Sequence, residues 1–193
     1  MAGGVLEREI MKALDRFLQN WRIDRVRPYL RPGGRVLDIG CADGALFRRQ
    51  PDLGAYIGMD PALAQPLDAP PCRLIRGVFP DDLPSHEPFD AITMLAVLEH
   101  IPPEQYGRLA GACSAHLKPG GYLLITVPSA VVDRILDVLH WARLIDGMAL
   151  EEHHGFAADR TPTIFASTEL ELVKRTRFQL GLNNLFVFRR RLT

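Results

Sequence analysis

The chain has 193 residues, enough for one domain with a substantial core, and its 47% apolar and 24% charged content is ordinary for a globular protein. With 23 acidic residues against 23 Lys and Arg, the net charge is zero, which removes the electrostatic reason to expect a nucleic-acid partner. No run approaches the roughly 18 uninterrupted apolar residues of a membrane span, and Glu7, Arg8, Glu9 and Lys12 stand where a secretory signal would be apolar, so no membrane partner is expected.

From Val5 to Trp21 the apolar residues Leu6, Ile10, Leu14, Phe17 and Trp21 recur at intervals of three and four, predicting an amphipathic helix ahead of the core. Val36-Leu37-Asp38-Ile39-Gly40-Cys41-Ala42-Asp43-Gly44 then reads as a short apolar strand running into a glycine-rich turn. Gly40 and Gly44, with Ala42 between them, permit a tight turn and close approach of a ligand, so the loop amides are expected to face something bound. No Gly-Lys-Ser/Thr follows, as a phosphate loop requires, and the full dinucleotide fingerprint is absent. Asp38, two residues before the first glycine, would repel a pyrophosphate but attract an ammonium. A loop of this kind can also be a simple tight turn.

Ala55 to Asp60 predicts a second strand that ends in an acid 20 residues after Gly40. Residues 61–71 carry Pro61, Pro66, Pro70 and Pro71, which predict a loop or a single helical turn. Arg73 to Gly77 is the third strand and Phe89 to Pro102 the fourth strand with its following turn; Pro103 to Leu117 is a helix that closes at Pro119-Gly120, and the fifth strand runs to Pro128. In the segment Ser129 to Arg160, Val131, Val132, Ile135, Leu136 and Leu139 line one helical face, opposite Asp133, Arg134, Asp137 and His140. That polar face mixes acids and bases, unlike a lysine-rich membrane-surface helix. Residues 168–180 and 184–190 predict a β-hairpin turning at Gly181-Leu182-Asn183-Asn184. Arg189-Arg190-Arg191 reads as a solvated chain end. Cys41, Cys72 and Cys113, odd in number and widely spaced, read as reduced thiols of a cytoplasmic protein.

The Asp38-to-Gly44 loop, the strand ending at Asp60, the run from Phe89 through Glu99-His100-Ile101-Pro102, and Leu117-Lys118-Pro119-Gly120-Gly121 with its following strand occur in an order that closely resembles class I S-adenosylmethionine-dependent methyltransferases. The resemblance covers residues 35–128 and is nearest to the small-molecule enzymes that include those of the ubiquinone pathway. It implies one α/β domain over residues 1–193, a Rossmann-like three-layer sandwich with a seven-stranded sheet of order 3-2-1-4-5-7-6 and strand seven antiparallel. Residues 1–30 would form a helical cap across the cofactor mouth and residues 129–160 a lid over the substrate pocket. Nothing in the sequence selects an oligomeric state.

The implied cofactor is S-adenosylmethionine and the implied partner a small-molecule acceptor. Asp38 and the loop at Gly40, Cys41, Ala42 and Gly44 would hold its methionine end. Asp60 would accept hydrogen bonds from the ribose, with Met59 and Pro61 beside the adenine and Met94 and Leu95 on the opposite wall. Relatives place Gly-Asp after the third strand, and that acid reaches the adenine amine; here Val78-Phe79 follows Gly77, so apolar contact from Val78 and Phe79 is expected instead, with Asp81 or Asp82 as substitutes. His100 is the candidate general base, since a histidine near its ordinary pKa serves at neutral pH; it could equally fix the turn before Pro102. Metal-holding relatives carry an acid three residues before the Glu-His pair. Ala96 stands there, and Glu151-Glu152-His153-His154 reads as a solvated loop, so no metal is expected. The Asn-Pro-Pro-Tyr run of enzymes acting on planar amides is replaced by Met94-Leu95-Ala96-Val97, which leaves oxygen, nitrogen or carbon acceptors open. A catalytically silent fold that binds the cofactor or a protein is the other reading, because a fold does not guarantee chemistry.

Overall fold

The computed structural model describes residues 2–129, 156–165 and 169–192, with side chains described at residue 13 and from residue 15 onward. Eight strands form one sheet: β1 (Arg35–Ile39), β2 (Ala55–Met59), β3 (Leu67–Ala69), β4 (Cys72–Ile75), β5 (Phe89–Leu95), β6 (Leu117–Pro128), β7 (Leu170–Phe178) and β8 (Asn183–Arg190). Their order is β3-β4-β2-β1-β5-β6-β8-β7. The pairs β1–β2, β1–β5, β2–β4 and β5–β6 are parallel, whereas β8 runs antiparallel to β6 and β7. With β4 to β8 counted as third to seventh, the expected order and the antiparallel last strand are both present.

The added strand is β3. The prolines of residues 61–71 do prevent a helix there, but Leu67–Ala69 pairs antiparallel with β4 across a Pro70-Pro71 turn, and an Asp68–Arg73 ion pair at 3.1 Å joins the two. Prolines on both sides confine the pairing to three exposed residues. The expected turn of the C-terminal hairpin also shifts. Gln179, Leu180 and Gly181 take the positive φ angles, while Asn183 and Asn184 lie inside β8, 3% and 1% exposed. Asn184 belongs in the sheet because its Nδ2 donates to Ser129 Oγ at 2.9 Å.

The two sheet faces bury separate layers, as expected of a parallel sheet covered on both sides. Leu37, Ile57, Ile92 and Leu123 pack with Leu109 and Cys113 of α3 (Tyr106–His116) and with Phe165. Val36, Tyr56, Leu124 and Val187 pack on the opposite face with Ile23 and Val26 of α1 (Ala2–Val26) and with Ala45 and Leu46 of α2 (Ala45–Arg49). α1 is longer than the apolar pattern indicates and stops just before Pro28, while Phe17, expected on the packed face, is 57% exposed and meets Trp21 edge-on. The predicted helix at residues 131–140 and the pair His153-His154 lie outside the described residues.

At the start of β5, Asp90 joins three segments. Its carboxylate accepts from the Arg35 amide at 2.9 Å and Lys118 Nζ at 2.9 Å, and pairs with Arg31. Burial opposes ionisation, but these donors outweigh it and hold Asp90 below the ordinary carboxylate range. Arg31 is largely exposed and contributes little. Asp90→Ala is expected to lower stability by about 1–3 kcal/mol in urea unfolding at neutral pH. Because the folded pKa is depressed, this difference is present above the ordinary carboxylate pKa and shrinks as pH falls below it.

Candidate active site

Asp38 is the last but one residue of β1, and register places Thr93 of β5 directly beside it. Tyr56 of β2 projects from the same face, two residues before Gly58, the β2 partner of Asp38. The Tyr56 hydroxyl donates to Asp38 Oδ2 at 2.6 Å and the Thr93 hydroxyl to Oδ1 at 2.6 Å. Asp38 is 4% exposed, and burial pushes its carboxyl up to about 6 even though Thr93 and Tyr56 pull the other way; the nearby Asp60 charge adds to the rise. The two hydroxyls leave a lone pair on each carboxylate oxygen, and Asp38 borders a cavity of about 200 Å³ together with Gly40, Cys41, Ala42, Leu95 and Ala96.

The loop beyond Asp38 is held mainly by the protein itself. Gly40 and Cys41 amides both donate to the Met59 carbonyl, at 2.8 and 3.2 Å, the Ala42 amide to Asp60 Oδ2 at 2.9 Å, and the Gly44 amide to the Cys41 carbonyl at 2.9 Å. The expectation that these amides face a ligand is therefore corrected: four of them are spent on shaping the turn. Gly40 is required by that shape, with φ at +73° and a Cβ position only 2.3 Å from Val97 Cγ2. Gly44, at φ +74°, starts α2 in the left-handed region.

Asp60 latches the loop with one oxygen and caps its own turn with the other, accepting from the Ala62 amide at 2.8 Å. It borders a second, larger cleft of about 580 Å³, lined by Ala42, Ala62, Leu63, Pro66 and Leu74 among others. Ala42 lines both spaces, so the cavity at Asp38 and the cleft at Asp60 lie on either side of this loop residue.

The remaining predicted residues divide. Pro61 is exposed and Val78 is 47% exposed, while Leu95 lines the smaller cavity. Met59, Met94 and Phe79 are 1%, 0% and 8% exposed and belong to the core, Phe79 packing edge-on against His116. Apolar segments around the site supply core on one strand face and cleft on the other, which a linear motif does not separate. Asp81 pairs with Arg108, and Asp82 accepts from the Val78 amide at 2.8 Å. His100 is exposed at the end of a 3-10 turn, Leu98–His100, that follows β5, three residues from the Val97 that packs on Gly40.

Sequence reasoning missed Tyr56, Thr93 and Arg22. A buried tyrosine needs a hydroxyl partner, and that signal was available in the strand that carries Tyr56. Arg22 had no such signal; it reaches the site because α1 packs with Gln19, Arg22 and Ile23 along the smaller cavity. Burial lowers the pKa of its guanidinium, while Glu99 and Asp15 favour its charge.

The sequence matches the family described as a methyltransferase domain over residues 6–172. It is 33% identical over 128 residues to a ubiquinone biosynthesis O-methyltransferase of Xanthomonas campestris pv. campestris, covering 59% of this chain and 53% of that protein. A Burkholderia thailandensis protein of the same name is 30% identical over 145 residues, covering 70% and 62%. The chain thus spans little more than half the length of these curated relatives. Among solved structures, a Haloferax volcanii methyltransferase bound to the Trm112 methyltransferase activator superposes with a TM-score of 0.68 at 15% identity, covering 95% of each chain. This chain belongs to the methyltransferase-domain family, of the class I type that draws its methyl group from S-adenosylmethionine.

The raised pKa of Asp38 has a stability consequence. A carboxyl that ionises at about 6 in the folded state and near 3.8 when unfolded disfavours the fold once charged, so the ligand-free protein loses on the order of 2–3 kcal/mol as pH rises between those values. Asp38→Asn is expected to flatten that segment of the pH–stability curve in denaturant titrations and to stabilise the ligand-free protein at neutral pH.

Proposed function

We propose that this chain transfers the methyl group of S-adenosylmethionine to a small-molecule acceptor in the cytoplasm. The reading rests most on one observation: Asp38 and the Gly40 loop line one space, Asp60 lines another, and Ala42 of the same loop lines both. That arrangement suits an elongated ligand with an amino-acid end and a ribose. The relatives' name supports an oxygen acceptor. Buried, unpaired Cys41, Cys72 and Cys113 suit a reducing compartment. Among the described residues no helix is long and apolar enough to cross a membrane. The whole chain acts as one domain in this reading, with residues 1–30 as cap; the lid expected over residues 129–160 falls mostly outside the described residues.

The cofactor supplies an electrophilic methyl group already activated on a sulfonium, so the protein's work is to hold and align it. Asp38 receives the ammonium and Arg22, across the same cavity, the carboxylate. Asp60 keeps its hold on Ala42 and Ala62 and uses its remaining lone pairs for the ribose hydroxyls. Pro61 and Val78 offer apolar surface to the base. His100 takes the acceptor proton, and α1 limits water at the smaller cavity. Val78-Phe79 in place of the usual Gly-Asp leaves the adenine amine without its usual acid, which supports the alternative of a silent fold.

Calorimetry should show S-adenosylhomocysteine binding, weakened by about 1–3 kcal/mol in Asp60→Ala; unchanged affinity would remove Asp60 from the site. In single-turnover assays over a panel of phenols and amines, His100→Ala should cost about 10²-fold in methyl transfer with cofactor affinity unchanged. Near-normal turnover would leave His100 as a turn residue.

A further inference from the structure

The three-membered cluster at the end of β1 is costly in a way that packing does not explain. Asp38, Tyr56 and Thr93 are 4%, 0% and 0% exposed, and together they bury a carboxylate between two hydroxyls. Apolar side chains of similar volume would avoid desolvating a charge and are often neutral or stabilising in such places. The cluster is also asymmetric. Asp38 borders the smaller cavity, whereas Tyr56 and Thr93 are not among the residues that line it. Two donors therefore approach the carboxylate from the protein side, each at 2.6 Å and each from a different neighbouring strand.

We propose that Tyr56 and Thr93 are positioning residues for cofactor binding: their hydroxyls hold the Asp38 side chain in one orientation and keep it ionised for an ammonium group in the cavity. The inference rests on the proposed methyltransferase site and adds two residues that act through a third. Hydrogen bonds from both hydroxyls favour the carboxylate form, opposing the burial that favours the acid. Other groups face Asp38 as well. Asp60 at the end of β2 disfavours its charge; the Cys41 thiol, itself driven far up by burial, stays neutral; Arg22 on α1 lines the same cavity. The two hydroxyls are the hydrogen-bond donors that hold the balance at about 6. With one removed, the carboxyl would be protonated over part of the neutral range and would no longer attract an ammonium.

Tyr56→Phe keeps the ring and its contact with Phe47 at 5.4 Å, and Thr93→Val keeps the volume, so each deletes one hydroxyl and little else. Affinity for S-adenosylhomocysteine is measured against pH in the wild type and both variants. Methylthioadenosine, which shares the nucleoside but has no ammonium, serves as the second probe. Losing one donor shifts the carboxyl toward its protonated form, so each variant should bind S-adenosylhomocysteine about three- to tenfold more weakly at pH 7 and recover to within about twofold of wild type near pH 8.5. Methylthioadenosine affinity should be unchanged by the substitutions and flat with pH. Equal weakening at every pH, unchanged S-adenosylhomocysteine affinity at pH 7, or parallel loss of methylthioadenosine would overturn the proposal and reduce the hydroxyls to packing groups. Failure of the wild type to bind either probe would instead overturn the reading of the site, and this proposal with it.

Discussion

A carboxylate buried at the carboxyl end of β1 ties the central three strands together, and the site is arranged around it. Tyr56 from β2 and Thr93 from β5 reach Asp38 from opposite sides at 2.6 Å. Those contacts require β1 to lie between β2 and β5 in the observed register, so the topology and the hydrogen bonds specify each other. A charge so deeply placed costs stability. That cost falls where the chain leaves the sheet and turns toward the cavity, which is where fold stability is commonly exchanged for function.

The glycine loop works by shape more than by donors. Its amides at Gly40, Cys41 and Ala42 are engaged by the Met59 carbonyl and Asp60. Asp60 consequently has two tasks, closing the loop and facing the cleft, and the protein's own groups fix the loop's shape. A preformed loop loses little conformational entropy on binding, and Val97 packed against Gly40 extends this rigidity to the turn that carries His100.

Much of the architecture was legible because parallel strands buried on both faces read as apolar runs, and because Asp38, Gly40 and Asp60 sit at spacings set by strand and loop geometry. Other features depended on facts that a linear pattern does not carry. The prolines of residues 61–71 argued against a helix correctly, yet whether Leu67–Ala69 would pair depended on the open edge of β4. Asn183 and Asn184 have turn chemistry, but three positive φ angles at Gln179 to Gly181 turn the chain first. Met59 and Met94 flank the site in sequence and face the core in space, since strand alternation sends neighbours to opposite faces, and Phe79, in the turn after β4, packs into the same core. Arg22 enters the site through the docking of α1, a tertiary event with no local signature.

In the proposed complex Asp38 holds the amino-acid end and Asp60 the ribose of one cofactor lying across the glycine loop. A crystal structure with S-adenosylhomocysteine tests it most directly. The ligand's ammonium is expected within hydrogen-bond distance of an Asp38 oxygen that still accepts from Tyr56 or Thr93, and both ribose hydroxyls on Asp60. An ammonium bound away from Asp38, with the carboxylate still enclosed by its two hydroxyls, would contradict it.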